Sequence, residues 1–269
     1  MHNGLAIACA LLFVATASAQ NRAIETCANG EPTTDKGLPD EDADGIADAI
    51  DNCLEVPNTT QRDSNDDGVG NICDGDLNND NIVNISDLSL LRAQFFTDEA
   101  SPDADLDGDG AVALSDLAVM RGLFFKPPGP VGPCLRDPSL CSGPRHFEAS
   151  DQITQGGANL FVIRTMDPAS IYHARRLIEG ASQCNPAVAG YTFLGTQPWN
   201  PDWGFHVSGE IYFHGDSVNA PVGCNRSASF VEANLGSWCN IDSRATACQF
   251  WCPWTSALTR DLPVTSNPP

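Results

Sequence analysis

The sequence predicts a multi-domain chain in which irregular repeats come first, a small all-α module of paired loop–helix units follows, and an α+β domain with disulfides comes last. Three observations predict this order. Short acidic side chains recur at alternate positions in four stretches between residues 40 and 116, a Pro/Gly-rich segment occupies 126–144, and the remainder alternates apolar strands with helical patterns. These shifts in composition indicate separate structural units.

The beginning of the chain has the features of an export signal. An apolar run from Leu5 to Ala15 precedes Ala17-Ser18-Ala19, a small-residue cleavage pattern. We therefore assign residues 1–19 to a signal peptide, treat 20–39 as a polar lead, and predict a secreted, extracellular protein. No stretch approaches the roughly 18 to 20 apolar residues that a membrane-spanning helix needs, so no transmembrane segment is expected.

Four twelve-residue stretches place an oxygen-bearing side chain at positions one, three, five and twelve, around a turn residue at position six. This is the ligand spacing of a calcium loop, in which the backbone carbonyl at position seven adds another oxygen. Without a cation, the carboxylates would repel by roughly 1 to 4 kcal/mol per close pair. We therefore predict about four structural Ca²⁺ sites. Their expected ligands are Asp40, Asp42, Asp44, Ile46 and Asp51; Asp63, Asn65, Asp67, Val69 and Asp74; Asp76, Asn78, Asp80, Ile82 and Asp87; and Asp105, Asp107, Asp109, Ala111 and Asp116.

The four loops form two different pairs, since the first pair repeats at an offset of 23 residues and the second at 29. After Asp87, the residues Leu88, Leu91 and Phe95 follow at helical spacing, and the same pattern follows the fourth loop. Two amphipathic helices are therefore expected to pack about a pseudo-twofold axis. The first pair has too little apolar surface to offset its chain entropy, so ions and a crosslink are expected to replace a core.

These residues carry two resemblances. The segment 40–74, from Asp40-Glu-Asp-Ala-Asp-Gly45 to Cys73-Asp74, resembles thrombospondin type 3 repeats. That resemblance implies calcium ions along an extended chain and a disulfide between successive repeats, here Cys53 to Cys73. The segment 75–125 resembles a type I dockerin, an EF-hand-like loop pair, with Asn81 in place of glycine. It implies calcium binding and a cohesin-like domain as a candidate partner.

Cysteine and charge usage limit the function classes further. Cleavage of the signal would leave ten cysteines, an even number that predicts disulfides in an exported chain; zinc at Cys248 and Cys252 is the disfavoured alternative. Residues 20–126 carry 24 acids against 6 bases, and residues 127–269 carry 11 against 8. Nothing is basic enough to bind phosphate backbones, so nucleic acid is not expected as a partner.

Residues 126–144 are predicted to form a stiff linker and 145–265 an α+β domain. Strands are expected at 160–164, 191–194 and 204–213, and helices at 167–180 and 229–235. The domain resembles the calmodulin-binding-protein-like family. The resemblance rests on Phe161-Val-Ile-Arg, Asp167-Pro168, Ala174 to Gly180, Trp199 to His206, Phe230-Val-Glu and Trp251-Cys-Pro-Trp254. Calmodulin binding is not carried over, because an exported protein does not meet cytosolic calmodulin.

One predicted strand places His206, Glu210 and His214 on the same face, and imidazole and carboxylate groups suit metal binding or acid–base catalysis. His206 and His214 would lie about 26 Å apart on a straight strand, so the three cannot hold one ion without a bend. No motif typical of serine hydrolases, zinc proteases or nucleotide-binding enzymes occurs. The sequence therefore indicates no catalytic residues and no reaction.

The leading hypothesis is a secreted calcium-binding modular protein that uses calcium structurally and mediates adhesion to an extracellular protein or glycan surface. One alternative is a secreted, polysaccharide-related hydrolase with a calcium-binding appendage. Another is an inhibitor or matrix protein with a disulfide-linked terminal domain.

Overall fold

The computed structural model describes residues 27, 30–97, 100–150, 159–214, 226–239, 248–251 and 257–262. The predicted signal peptide and the first part of the polar lead lie outside these residues, as do Cys224 and Cys252. Within the described ranges, no helix has the length and apolar character needed to cross a bilayer.

A mixed six-stranded sheet forms the centre of the C-terminal region. Its order is β5-β3-β4-β2-β1-β6, with β2 and β4 parallel and the other neighbouring pairs antiparallel. Residues alternate between buried and less buried along much of β2 and β4, as expected when one face of a sheet packs on a core. The strands are β1 Arg145–Ser150, β2 Leu160–Thr165, β3 Ala187–Leu194, β4 Phe205–His214, β5 Phe250–Trp251 and β6 Ala257–Leu262.

The described helices are short and serve two cores. Helix α4 begins at the predicted Asp167-Pro168 cap, where the Asp167 carboxylate accepts the Ser170 N–H at 3.0 Å. Ile171 of α4, Val231 of α5 and Trp251 of β5 are buried in one cluster with Phe147 and Phe205 of the sheet. This confirms a disulfide-containing α+β domain. The helices are α1 Ile85–Ala93, α2 Leu114–Leu123, α3 Pro133–Arg136, α4 Pro168–Ile178, α5 Ala228–Ala233 and α6 Leu235–Trp238.

Helices α1 and α2 follow the third and fourth loops and share a second core, in which Val83, Leu91, Leu106 and Met120 are fully buried. The backbone links the two halves reciprocally. Phe125, just after α2, donates its N–H to Val83 at 2.8 Å, and Phe96, after α1, donates its N–H to Val112 at 3.3 Å. The pairing has the approximate twofold character that the 29-residue repeat predicts.

The first repeat packs directly against the C-terminal domain. Leu38, Ala47 and Ala49 are buried in the core of that domain. The Phe213 N–H of β4 donates to the Lys36 carbonyl at 2.7 Å. Only the larger apolar residues of this segment entered the prediction, which overlooked the two alanines, so the first repeat has more core than expected.

The Pro/Gly-rich segment lies along the first repeat. Gly132 donates its N–H to the Asp51 carbonyl at 2.7 Å, and Pro130 accepts the Leu54 N–H at 3.0 Å. A Cβ atom at Gly132 would lie 2.5 Å from the Asp48 carbonyl oxygen, so glycine is needed for this close approach. Backbone hydrogen bonds therefore join the predicted linker to the first repeat.

Four disulfides join described residues: Cys27–Cys184, Cys53–Cys73, Cys134–Cys141 and Cys239–Cys248. The predicted link between Cys53 and Cys73 is confirmed. The zinc alternative is wrong for Cys248, because its sulfur is bonded to Cys239. Cys27–Cys184 ties the polar lead covalently to the C-terminal domain.

His173 on α4 provides a test of this packing. It is 3% exposed, its Nε2–H donates to the Cys184 carbonyl at 2.9 Å, and burial lowers its pKa to about 4. The unfolded chain takes up a proton near pH 6.5 that the folded chain refuses until about pH 4, so this residue costs stability as pH falls through that window. We expect wild type to lose about 2 kcal/mol more than His173→Gln between about pH 7 and pH 5. Urea unfolding at both pH values measures this difference, and equal losses would contradict it.

Candidate metal centre

The first loop brings three carboxylates together. One oxygen each from Asp40, Asp42 and Asp44 lies within 4.8 Å of the others. Asp40 accepts the N–H groups of Asp44 at 3.2 Å and Gly45 at 3.0 Å, while Asp44 Oδ1 accepts the Ile46 N–H at 2.7 Å. Asp42 Oδ2 is buried and has no hydrogen-bond partner in the described structure. The backbone thus fixes the carboxylates and leaves oxygen lone pairs directed at one point.

The fourth loop repeats this geometry with Asp105, Asp107 and Asp109, whose oxygens also converge within 4.8 Å. Asp105 accepts the N–H of Gly110 at 3.1 Å. Asp116, at position twelve, is buried and accepts the N–H groups of Leu106 and Ala113, both at 2.7 Å. The position-twelve carboxylate is therefore held beneath its loop.

The second and third loops have asparagine at position three, so each holds fewer carboxylates. Asp63 Oδ2 accepts the Gly68 N–H at 2.8 Å, and the buried Asp63 Oδ1 has no partner among described residues. In the third loop, Asp76 accepts the Asn81 N–H at 2.6 Å. Asn81 has φ +70°, the left-handed conformation for which glycine is usual and asparagine tolerated. The loop closes despite the substitution.

Electrostatics in the loops favour a cation. Burial, followed by the neighbouring charges of Asp44 and Asp51, raises the pKa of Asp42 to about 6. Burial and the carboxylates of the second and third loops raise the pKa of Asp74 to about 7. Crowded carboxylates retain protons unless an opposite charge replaces them. An all-oxygen donor set of this kind suits Ca²⁺ rather than a softer metal.

Residues between the loops orient the ligands, although they had no role in the predicted sites. The Asn58 N–H donates to Asp44 Oδ2 at 2.7 Å, and Gln61 Nε2 donates to Asp51 Oδ1 at 2.7 Å. Both donors occupy the turn between the first two loops. The chain after the first loop therefore fixes two of its carboxylates.

Arg62 was also missed, and it joins the second loop to the fourth. Its Nη2 lies 3.0 Å from Asp105 Oδ2 and donates to the Pro102 carbonyl at 3.0 Å. The signal was available, because Arg62 is the one basic residue between Lys36 and Arg92 and directly precedes Asp63. Its guanidinium offsets part of the negative charge of the fourth loop.

The three low-ranking catalytic candidates do not form a shared site. His206 Nδ1–H donates to the Gly195 carbonyl at 3.1 Å, and Glu210 accepts from the Tyr212 hydroxyl at 3.2 Å. Within the described part of the chain, the side chains that converge in threes on a metal-sized space are the aspartates of the first and fourth loops. His206, Glu210 and His214 are not brought together in this way.

Comparison with known families agrees with two of the resemblances. Residues 38–61 and 62–88 match the thrombospondin type 3 repeat, and residues 144–265 match the BP-74 N-terminal domain. The second repeat match extends through the third loop, which was predicted to belong to the dockerin-like pair. A search of curated proteins and a search of solved structures found no match. The chain thus contains thrombospondin type 3 repeats, which are calcium-binding repeats, and their acidic groups could hold a metal ion.

Proposed function

We propose that this chain is a secreted, calcium-binding modular protein in which Ca²⁺ orders the acidic half and thereby seats the C-terminal domain for extracellular binding. One observation carries the proposal. The first loop presents a convergent carboxylate triad and, a few residues later, buries Ala47 and Ala49 in the core of the C-terminal domain. Ion binding and domain packing thus involve the same short segment.

The geometry of the first loop explains how an ion would act on that packing. The expected ligands at positions seven and twelve, the Ile46 carbonyl and the Asp51 side chain, flank both buried alanines. Fixing these two points restricts the backbone between them, so less conformational entropy is lost when the alanines enter the core. Ligand binding to the folded state alone adds about 2.7 kcal/mol of stability at a ligand concentration of about 100 Kd.

The position-twelve aspartates support direct coordination in the third and fourth loops. Asp87 accepts the N–H groups of Asn78 at 3.2 Å and Asn84 at 2.8 Å, and Asp116 makes the equivalent contacts. Each carboxylate oxygen has a second lone pair that these bonds leave free. Short, pre-oriented aspartates of this kind suit structural calcium sites at extracellular concentrations.

A second surface supports partner binding by the paired module. Ile85 and Leu114 occupy the same position in the two halves and are 63% and 67% exposed; Phe96 and Phe125 are likewise equivalent and are 80% and 78% exposed. Both phenylalanines have positive φ, 55° and 63°, which costs energy for a bulky residue. A symmetric set of exposed apolar side chains is typical of a protein-binding surface, and a cohesin-like domain is the candidate partner.

The ligand assignment predicts a specific loss of calcium. Asp42→Asn and Asp107→Asn each remove a central charge from a triad, so each variant should bind one calcium about 10- to 100-fold more weakly while the other sites are retained. Titration calorimetry with Ca²⁺ measures stoichiometry and affinity. Glu41→Gln is the matched control, since Glu41 is exposed and lies at a non-ligand position of the first loop. An equal loss in the control would contradict the assignment.

Calcium removal should also loosen the C-terminal domain. All five tryptophans lie between residues 199 and 254, so their fluorescence reports this domain and not the calcium loops. We expect EDTA to lower the melting temperature seen by tryptophan fluorescence by several degrees, as a loss of about 2 kcal/mol or more implies. Asp42→Asn should abolish much of that shift, whereas Asp107→Asn, in the more distant fourth loop, should abolish less. Identical melting with calcium and with EDTA would refute the proposal.

The exposed symmetric surface can be tested with a purified type I cohesin in the presence of calcium. We expect binding by wild type and its loss, by at least about tenfold, in the double variant Ile85→Asp/Leu114→Asp, because charges would replace apolar contact area. Leu160→Asp is the control, since Leu160 is a comparably exposed apolar residue in the C-terminal domain. Absence of wild-type binding in surface plasmon resonance would exclude a cohesin-like partner.

A further inference from the structure

The face of the sheet that points away from the core carries a cluster of aromatic and basic side chains. His146 of β1 lies opposite Arg164 of β2, and Phe193 of β3 lies opposite His206 of β4. Trp199, from the β3–β4 connection, lies over them. Its ring centroid is 5.0 Å from that of His146 and 6.1 Å from that of His206. We call His146, Arg164, Phe193, Trp199 and His206 the outer-face cluster.

Arg164 is the charged member of this cluster, and no described carboxylate neutralises it. Its guanidinium carbon lies 5.5 Å from the centroid of the Trp199 ring, a cation–π contact. Other arginines have acidic partners: Arg260 pairs with Glu148 at 2.7 Å, and Arg175 with Asp261 at 2.9 Å. Arg164 is half-buried, in a chain with a formal net charge of -21. A partly desolvated guanidinium without a counter-ion favours an anion as ligand.

Two neutral polar groups beside Arg164 also lack partners. The His146 Nε2 and Trp199 Nε1 atoms are buried, and neither has a hydrogen bond within the described part of the chain. Burial, together with the nearby Arg164 charge, lowers the pKa of His146, so this histidine is uncharged at neutral pH. Unpaired buried polar atoms cost free energy that an oxygen-bearing ligand would recover. The cluster therefore offers one positive charge and several hydrogen-bonding groups.

The loop that carries Trp199 is firmly anchored. The adjacent Asn200 is 4% exposed, accepts the Val162 N–H at 3.1 Å and donates to the Phe205 carbonyl at 3.2 Å. Gly195 and Gly204 close the base of the loop through a 2.8 Å backbone hydrogen bond. Because Trp199 is held on a strand pair rather than a free loop, the cluster is preformed for binding.

We infer that the outer-face cluster binds a uronate, a sugar ring that bears one carboxylate. The planar guanidinium of Arg164 matches the carboxylate fork, Trp199 and Phe193 offer apolar ring surface, and His206 and Ser208 offer partners for hydroxyl groups. Ser208 lies opposite Arg164 across β2 and β4. This assignment rests on the proposed binding function of the C-terminal domain and names its ligand class.

Charge density favours a uronate over a more highly charged polymer. The same face carries Glu148, which pairs with Arg260, and Glu210, which is exposed. A peptide with consecutive acidic residues or a heavily sulfated chain would face these carboxylates with Arg164 as the single unpaired cation of the cluster. A sugar with one carboxylate per ring and an apolar ring face fits both the charge and the aromatic groups.

The test measures binding of trigalacturonate, by titration calorimetry on the calcium-loaded full chain. We expect wild type to bind it at least about tenfold more tightly than neutral galactotriose, Arg164→Gln to lose at least about tenfold, and Arg260→Gln to be unchanged. Arg260→Gln is the matched control, because it removes an equal charge from the same sheet at an arginine that already has a partner. Arg164→Lys, which keeps the charge but not the fork, should also bind more weakly.

Several outcomes would overturn the inference: no trigalacturonate binding by wild type, an equal loss in Arg260→Gln, or tighter binding of hexaglutamate or inorganic sulfate. The calcium-dependent melting shift is recorded on the same samples. Loss of binding in Arg164→Gln with that shift intact supports a site separate from the calcium framework. Arg164-dependent binding without any calcium shift would sustain this site while refuting the proposed calcium function.

Discussion

The repulsion among crowded aspartates is the constraint on which the acidic half depends. Asp40, Asp42 and Asp44 converge on one point although nearby positive charge is scarce. Backbone N–H groups hold each carboxylate, but they leave the inward oxygens uncompensated. The raised pKa values of Asp42 and Asp74 show what this arrangement costs the protein alone. A divalent cation would offset the repulsion and convert the triad into a crosslink, a task that apolar side chains perform in larger cores.

The same constraint reaches the C-terminal domain because the two halves are joined at several levels. Cys27–Cys184 joins them covalently, the Lys36 carbonyl bonds the β4 backbone, and Ala47 and Ala49 contribute to the sheet core. The Pro/Gly-rich segment adds further hydrogen bonds along the first repeat. A perturbation in the first loop is therefore expected to act on the sheet, whereas the fourth loop shares its core with α1 and α2.

Features with local causes were predictable from the sequence. Helix α4 follows from the Asp167-Pro168 cap, and α1 and α2 follow from apolar residues at helical spacing after position twelve. Strands β1, β5 and β6 were not predicted. Trp251 in β5 lies in a two-residue strand, and β6 pairs with β1, which lies more than 100 residues earlier in the chain. Such pairing depends on long-range packing that periodicity does not reveal. Arg62 escaped notice because its partner Asp105 is distant in sequence.

The alternation of the central strands explains why one sheet can both fold and bind. In β4, Phe205, Val207, Ile211 and Phe213 face the core, which leaves the intervening residues free of that requirement. Arg164 and His206 lie on the other face, where packing does not demand apolar groups. An arginine there without a described acidic partner contributes little to stability, since cation–π contacts at partly exposed sites are worth about 1 kcal/mol. Its environment is better explained by a ligand that carries the missing negative charge.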